Sequence, residues 1–146
     1  MRPQPAHTVA RSALGAFLSV AGVGHLSFAR TAFRAQVPPW MPLNADVVII
    51  ASGIVEILLG IGLMLLTRWR VPIGWAVAIF FVLVFPGNIS QFNTHADAFG
   101  LDSDLARGAR LLFQPLLAVW ALWCTGAWAA FRNRGTGPRS WLGRHR

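Results

Sequence analysis

The stretch VVIIASGIVEILLGIGLMLL, residues 47–66, decides how this chain is read. At about 1.5 Å per residue, a helix of this length covers about 30 Å, the thickness of a bilayer's hydrocarbon core. Its single charged residue, Glu56, lies at its middle. A carboxyl group in hydrocarbon is costly and rarely persists without a partner, a proton or a wet cavity. The question is then which other polar side chains share its depth.

Composition supports the membrane reading. Of 146 residues, 55% are hydrophobic and only 12% charged, against about a quarter charged in soluble domains. Mean hydropathy is +0.52. Net charge is +8, and every basic residue is Arg. The Arg residues cluster between apolar runs, as in a membrane protein, so no nucleic-acid partner is expected. One cysteine, Cys124, sits in an apolar run, which excludes an intrachain disulfide and a CxxC redox pair. The length suits one compact unit.

Four spans are expected, at 12–29, 46–67, 71–92 and 105–131, giving an all-α, integral membrane four-helix bundle. Arg30 and Arg34 follow the first run directly, which suits a retained helix better than a cleaved signal peptide. Asn44 or Asp46 can cap the second span, and Pro72 opens the third. Pro86 and Pro115 should kink the third and fourth. The short Thr67–Arg70 connection makes spans two and three antiparallel neighbours. Arg2, Arg11, Arg68, Arg70 and the Arg residues of the tail share one side, while Arg30, Arg34, Arg107 and Arg110 lie on the other. The positive-inside rule then places both termini in the cytoplasm, in a cell inner (plasma) membrane. Residues 132–146 read as a basic, disordered cytoplasmic tail along anionic lipid.

Helical spacing puts Ser52, Glu56 and Gly60 on one face of span two, and Arg107, Arg110, Gln114, Ala118, Ala121 and Thr125 on one face of span four. Gly74, Ala78, Phe81, Phe85 and Asn88 share a face of span three, and Ala21 and His25 one of span one. His25, Asn88 and Arg110 fall about one turn below the outer surface, and Glu56 about 15 Å deep. The inner half holds almost no polar side chain within the spans. His25, Ser52, Glu56, Asn88, Arg110 and Gln114 are therefore the candidate ligand or proton pocket, in the outer half. A plainer alternative is a buried Glu56–Arg110 ion pair that sets helix register. The two halves of the chain also show a faint two-fold pattern, with His25 matching Asn88 in depth and Ser52 or Glu56 matching Gln114.

Two connections carry further signals. Val37-Pro38-Pro39-Trp40-Met41-Pro42 reads as a stiff interfacial anchor through Trp40, or as a lid over the pocket. His95, Asp97, Asp102 and Asp104 suggest a metal, but Asp102 and Asp104 equally suit a helix amino end, so no metal is assigned.

Several segments resemble the DoxX family, in its DoxX-like branch, of small bacterial membrane proteins. They are Gly22-Val-Gly-His25, the 37–42 run, the segment from Ser52 to Leu63, Val84-Phe-Pro-Gly-Asn-Ile89 and Arg110-Leu-Leu-Phe-Gln114. The likeness covers about residues 12 to 130. It implies four helices in the inner membrane and a role beside a redox partner. The chain departs from that pattern at Leu26 and at Phe113-Gln114-Pro115. Its single cysteine cannot run dithiol chemistry alone.

The leading expectation is an accessory subunit of a membrane redox system rather than an enzyme on its own. Quinone is a fitting ligand, since His, Asn, Gln and Arg can bond its carbonyls while Phe81 and Phe85 line the ring. The alternatives are a small-molecule or proton transporter with Glu56 as relay, and a purely structural subunit.

Overall fold

The computed structural model describes residues 4–34, 36–94 and 103–134. Helix α1 runs Pro5–Leu26, α2 Arg30–Arg34, α3 Ala45–Leu65, α4 Arg70–Asn93, α5 Asp104–Cys124 and α6 Ala127–Arg134. A 3-10 turn, Thr67–Trp69, leads into α4. The described residues contain no strand. Helix α1, helix α3 and the segment Thr67–Asn93 are each long and apolar enough to cross a membrane. Helices α5 and α6 meet that standard only as a pair.

Local chemistry sets the ends. Pro5 opens α1 from the first turn, where its missing N–H costs nothing. The Asn44 side chain accepts from the Asp46 N–H at 2.8 Å to start α3, and Ser103 caps α5 through the Ala106 N–H at 3.3 Å. Two of the expected spans differ. The first helix begins a full two turns early, at Pro5, and stops at Leu26. There Ser27 leaves helical geometry (φ −136°, ψ −110°), and Arg30–Arg34 forms a separate short helix. The fourth is not continuous. Gly126 takes φ +73°, in the left-handed region that favours glycine, and the chain bends by 66° between α5 and α6. The proposed tail is helical as far as Arg134; residues 135–146 lie outside the described residues.

Two antiparallel pairs build the bundle, α1 with α3 and α4 with α5. The first pair is packed through glycine. A Cβ on Gly15 would stand 2.6 Å from the Gly60 carbonyl oxygen, and one on Gly22 2.6 Å from that of Gly53. The two glycines on each helix are seven residues apart, so both contacts fall on the same stripe. Backbones at this distance gain dispersion contacts that lipid cannot match. In the second pair, Gly74 makes room for Thr125, whose hydroxyl donates back to the Ala121 carbonyl at 2.6 Å.

Leu14, Leu18, Leu63, Val77, Phe80 and Leu117 fill the middle of the bundle with apolar side chains. Large apolar residues such as Val20, Leu58, Ile61, Val82, Leu83, Leu112 and Val119 point outward. Contrary to expectation, the end of the bundle that holds the amino terminus is not devoid of buried polar groups. Arg11 is 4% exposed and donates to the Leu63 carbonyl. That carbonyl lies in the last turn of α3, where the helix dipole favours a cation. Because α1 starts at Pro5, Arg11 lies well inside the helix rather than at its edge. His7, a turn earlier, packs tilted against Trp123, with ring centroids 4.6 Å apart.

Candidate functional site

His25, near the end of α1, and Glu56, in the fourth turn of α3, meet across the Gly22–Gly53 crossing. Helical side chains tilt toward their own amino end. In antiparallel helices these two therefore lean toward each other. His25 Nδ1 reaches 2.9 Å from Glu56 Oε2. Only glycine at position 53 permits this, since a Cβ there would stand 2.8 Å from the His25 Cβ. The imidazole also stacks on Phe33, with ring centroids 3.4 Å apart. The close neighbour of Glu56 is thus His25, and not Arg110 as the register alternative supposed. Side-chain tilt, which depth alone does not convey, selects the histidine.

The His25–Glu56 contact is incomplete as a hydrogen bond. Nδ1 also lies 3.1 Å from the Ala21 carbonyl, which can only accept. One ring hydrogen thus faces two acceptors. It is directed to Ala21, and Glu56 Oε2 is buried without a hydrogen-bond partner. Glu56 itself is 8% exposed.

The second helix pair supplies a matching contact. Asn88, on α4, donates from Nδ2 to Gln114 Oε1 on α5, and Gln114 Nε2 donates 2.7 Å to the Phe81 carbonyl. Phe81 lies next to Val82, whose carbonyl is the one that Pro86, lacking an N–H, leaves without its helical donor. Each helix pair thus carries one polar side-chain contact between its two members, His25 with Glu56 and Asn88 with Gln114.

His25, Ser52, Glu56, Asn88, Arg110 and Gln114 all line one cavity of about 490 Å³. That size is within the range of small-molecule pockets. Ser52 is turned to its own helix, donating to Val48 at 2.8 Å. Phe17, Phe81, Val84 and Leu117 give the cavity apolar walls. Phe85, expected beside Phe81, lies elsewhere. It lines a smaller crevice of about 230 Å³ with Val82, Pro115 and Ala118, which shares only Phe81 and Gln114 with the cavity.

In the connection from α1 to α3, sequence reading singled out residues 37–42 as an interfacial anchor or a lid, and passed over Phe33 and Gln36. Phe33, Gln36, Val37, Pro38, Trp40 and Met41 all line the cavity, so the proline run forms one of its walls. Gln36, with its amide oxygen toward α5, accepts from Arg110 Nη1 at 3.0 Å. Its backbone carbonyl passes so close to Gly87 that a Cβ there would stand 2.7 Å away. Glycine after Pro86 thus lets the connection cross onto α4. Its near end is clasped to α3: Arg34 Nε donates to Asp46 Oδ1 at 3.1 Å, and Arg30 Nη2 lies 3.2 Å from the same oxygen. The hydrogen bond to Asp46, and then its charge, raises the Arg34 pKa. The i, i+4 spacing of Arg30 and Arg34, twelve or more residues before an Asp that opens a helix, was the available signal. His95, Asp97 and Asp102 lie outside the described residues.

No curated protein and no solved structure matches the chain. The expected DoxX relationship is not what the family comparison finds. Gly22, Gly53 and Gly60, which lie in the segments that suggested that likeness, are demanded by the helix crossing. Residues 14–125 match the family described as a domain of unknown function, DUF8561, and the chain belongs to that family.

Proposed function

We propose that this chain is an inner-membrane binding protein. It holds a lipid-soluble amphiphile in the outer half of its bundle and works as an accessory component rather than as an enzyme on its own. The observation that carries the reading is one cavity onto which four helices and one connection bring seven polar side chains, Gln36 among them. A protein that needed only to fold would fill that space, since protein interiors are close-packed. The apolar crevice adjoining at Phe81 and Gln114 gives a hydrocarbon tail somewhere to lie. A quinone ring is one head group that Asn88 and Arg110 can hold by its oxygens. The place beside a redox partner was implied by the DoxX resemblance and is not carried further. Proton transport through Glu56 needs a path to the other end of the bundle, and Leu14, Leu18, Leu63, Val77 and Phe80 occupy it.

Arginine distribution supports an orientation with both termini cytoplasmic, and the exposed tryptophans fit two interfaces. Trp40 lies at the cavity end, and Trp69 and Trp128 lie toward the other, where interfacial belts would be. A fluorescent protein fused to the carboxyl end should fluoresce, and alkaline phosphatase fused there should be inactive. The reverse pattern would invert the bundle and place the cavity in the cytoplasmic half.

The binding reading is tested by extraction. Wild-type protein purified in mild detergent should carry about one lipid-soluble small molecule per chain, identified by mass spectrometry. Ser52→Phe, which fills the cavity from a residue bonded only to its own helix, should lose it while keeping its elution volume and unfolding midpoint. Equal amounts of ligand in both proteins, or none in either, would refute the proposal.

A further inference from the structure

We infer that the guanidinium of Arg11 seats the phosphate of an anionic phospholipid, at the end of the bundle opposite the cavity. This requires that the bundle sit in a bilayer and is independent of what the cavity holds. Arg11 is 4% exposed, and a buried cation needs compensating charge and hydrogen bonds. The chain provides little of either. Arg11 Nη1 donates to the Leu63 carbonyl, at the end of a helix dipole worth about half an elementary charge. Among the described residues no carboxylate pairs with it. The sequence explains why. Asp46 and Asp104 lie at the starts of α3 and α5, at the opposite end of the bundle, and Glu56 stands beside His25. The other two acidic residues, Asp97 and Asp102, fall in sequence between Asn93 and Asp104, the ends of α4 and α5 away from Arg11. Arg68, Arg70 and Arg132 add further positive charge at the Arg11 end. The missing negative charge therefore comes from outside the chain's own side chains.

The second edge of the guanidinium selects the anion. Nε and Nη2 make no hydrogen bond among the described residues, yet neither is sealed from the surface. Among those residues, the sealed side-chain atom without a partner is Glu56 Oε2. The two N–H groups of that edge lie side by side in one plane and fit two oxygens of a phosphate. Position favours a lipid's phosphate. Arg11 stands about 9 Å from the start of α1 at about 1.5 Å per residue, and a helical side chain leans toward its own amino end. The charged head is thus carried toward the membrane surface while the stem stays in the bundle. Trp69, Trp123 and Trp128, each more than half exposed, mark the interface at that end. A zwitterionic lipid also offers a phosphate, but its ammonium adds a cation beside Arg68, Arg70 and Arg132. An anionic lipid brings the charge that the chain lacks there.

The full chain is stripped of lipid in mild detergent. Its unfolding midpoint is then followed by circular dichroism as phosphatidylglycerol, or phosphatidylcholine with the same acyl chains, is added. Phosphatidylglycerol should reach half of its stabilising effect at a concentration at least about tenfold below that of phosphatidylcholine, the difference one hydrogen bond to a charged group makes. The preference should persist at about 1 M salt, where exposed charges are screened beyond about 3 Å and buried contacts much less. Arg11→Gln, which can still donate to the Leu63 carbonyl, should erase the preference. Arg68→Gln, at an exposed position, should keep it. Equal effects of the two lipids on the wild-type protein, loss of the preference at high salt, or its survival in Arg11→Gln would overturn the assignment. Inorganic phosphate that stabilises as well as phosphatidylglycerol at the same concentrations would make the occupant a free anion and overturn the lipid. If Arg11→Gln does not fold, the wild-type comparison at high salt decides the matter.

Discussion

Leucine at Gly22 leaves little folded protein, and alanine there lowers stability by about 1–3 kcal/mol, the usual cost of overpacking. Helix propensity alone predicts the opposite, since glycine to alanine within a helix gains about 0.5–1 kcal/mol. The sign is set by what the new carbon meets. At Gly22 it would stand 2.6 Å from the Gly53 carbonyl oxygen and 2.7 Å from Ile57 Cγ1. The first of these is backbone, which cannot swing aside, so α1 and α3 must separate. Separation also pulls His25 from Glu56, because both depend on the same crossing. Gly24→Ala and Gly108→Ala provide the contrast. Their new carbons would meet only side-chain atoms of Phe28 at 3.4 Å and of Phe92 at 3.8 Å. Both should be neutral or slightly stabilising. Unfolding midpoints of the three alanine variants in mixed micelles, followed by circular dichroism, test the argument. A Gly22→Ala protein as stable as Gly24→Ala would mean that the glycine stripe does not hold the helix pair together.

Much of the fold lies open in the sequence, and the reason is physical. Hydrocarbon-compatible runs are long, and a polar residue inside one stands out, so Glu56, Asn88, Arg110 and Gln114 could be chosen and given a depth from the helical rise alone. Properties that depend on two elements at once were harder to see. Gly15 and Gly22 are unremarked in α1 until Gly53 and Gly60 are seen to repeat the same seven-residue spacing in α3. The partner of Glu56 depended on side-chain tilt in antiparallel helices, which favoured His25 over the more obvious Arg110. Phe33 and Gln36 belong to a connection, where no periodicity indicates direction. Gly126 lay in an apolar run long enough for a span, and composition cannot say that its backbone turns left-handed. Arg11 looked like a boundary residue because charge was read as an edge. Once Pro5 is the start of α1, the same charge falls beside the carbonyl end of α3.

Gln114→Leu is expected to cost about 1–3 kcal/mol, as much as alanine at the glycine crossing but for a different reason. Gln114 makes two contacts with α4: it accepts from Asn88 and donates 2.7 Å to the Phe81 carbonyl. Both fall where the helix pair is weakest in its own hydrogen bonds, because Pro86 in α4 and Pro115 in α5 each lack an N–H. Leucine preserves the size of the side chain and removes both bonds. Interhelical hydrogen bonds in lipid average well under about 1 kcal/mol each, since the unfolded chain finds partners too, which keeps the total modest. Orphaning, rather than the lost bonds themselves, supplies the rest. Asn88 would be left with a half-buried amide aimed at methyl groups. It follows that Asn88→Leu added to Gln114→Leu should cost less than the two single changes summed, by about 0.5–1.5 kcal/mol, because the second change removes the orphan that the first created. A double-mutant cycle on unfolding free energies in mixed micelles measures this directly. Strict additivity would show that the two amides do not depend on each other, and the contact between α4 and α5 would then rest on the packing of Phe81, Leu117 and Ala121 alone.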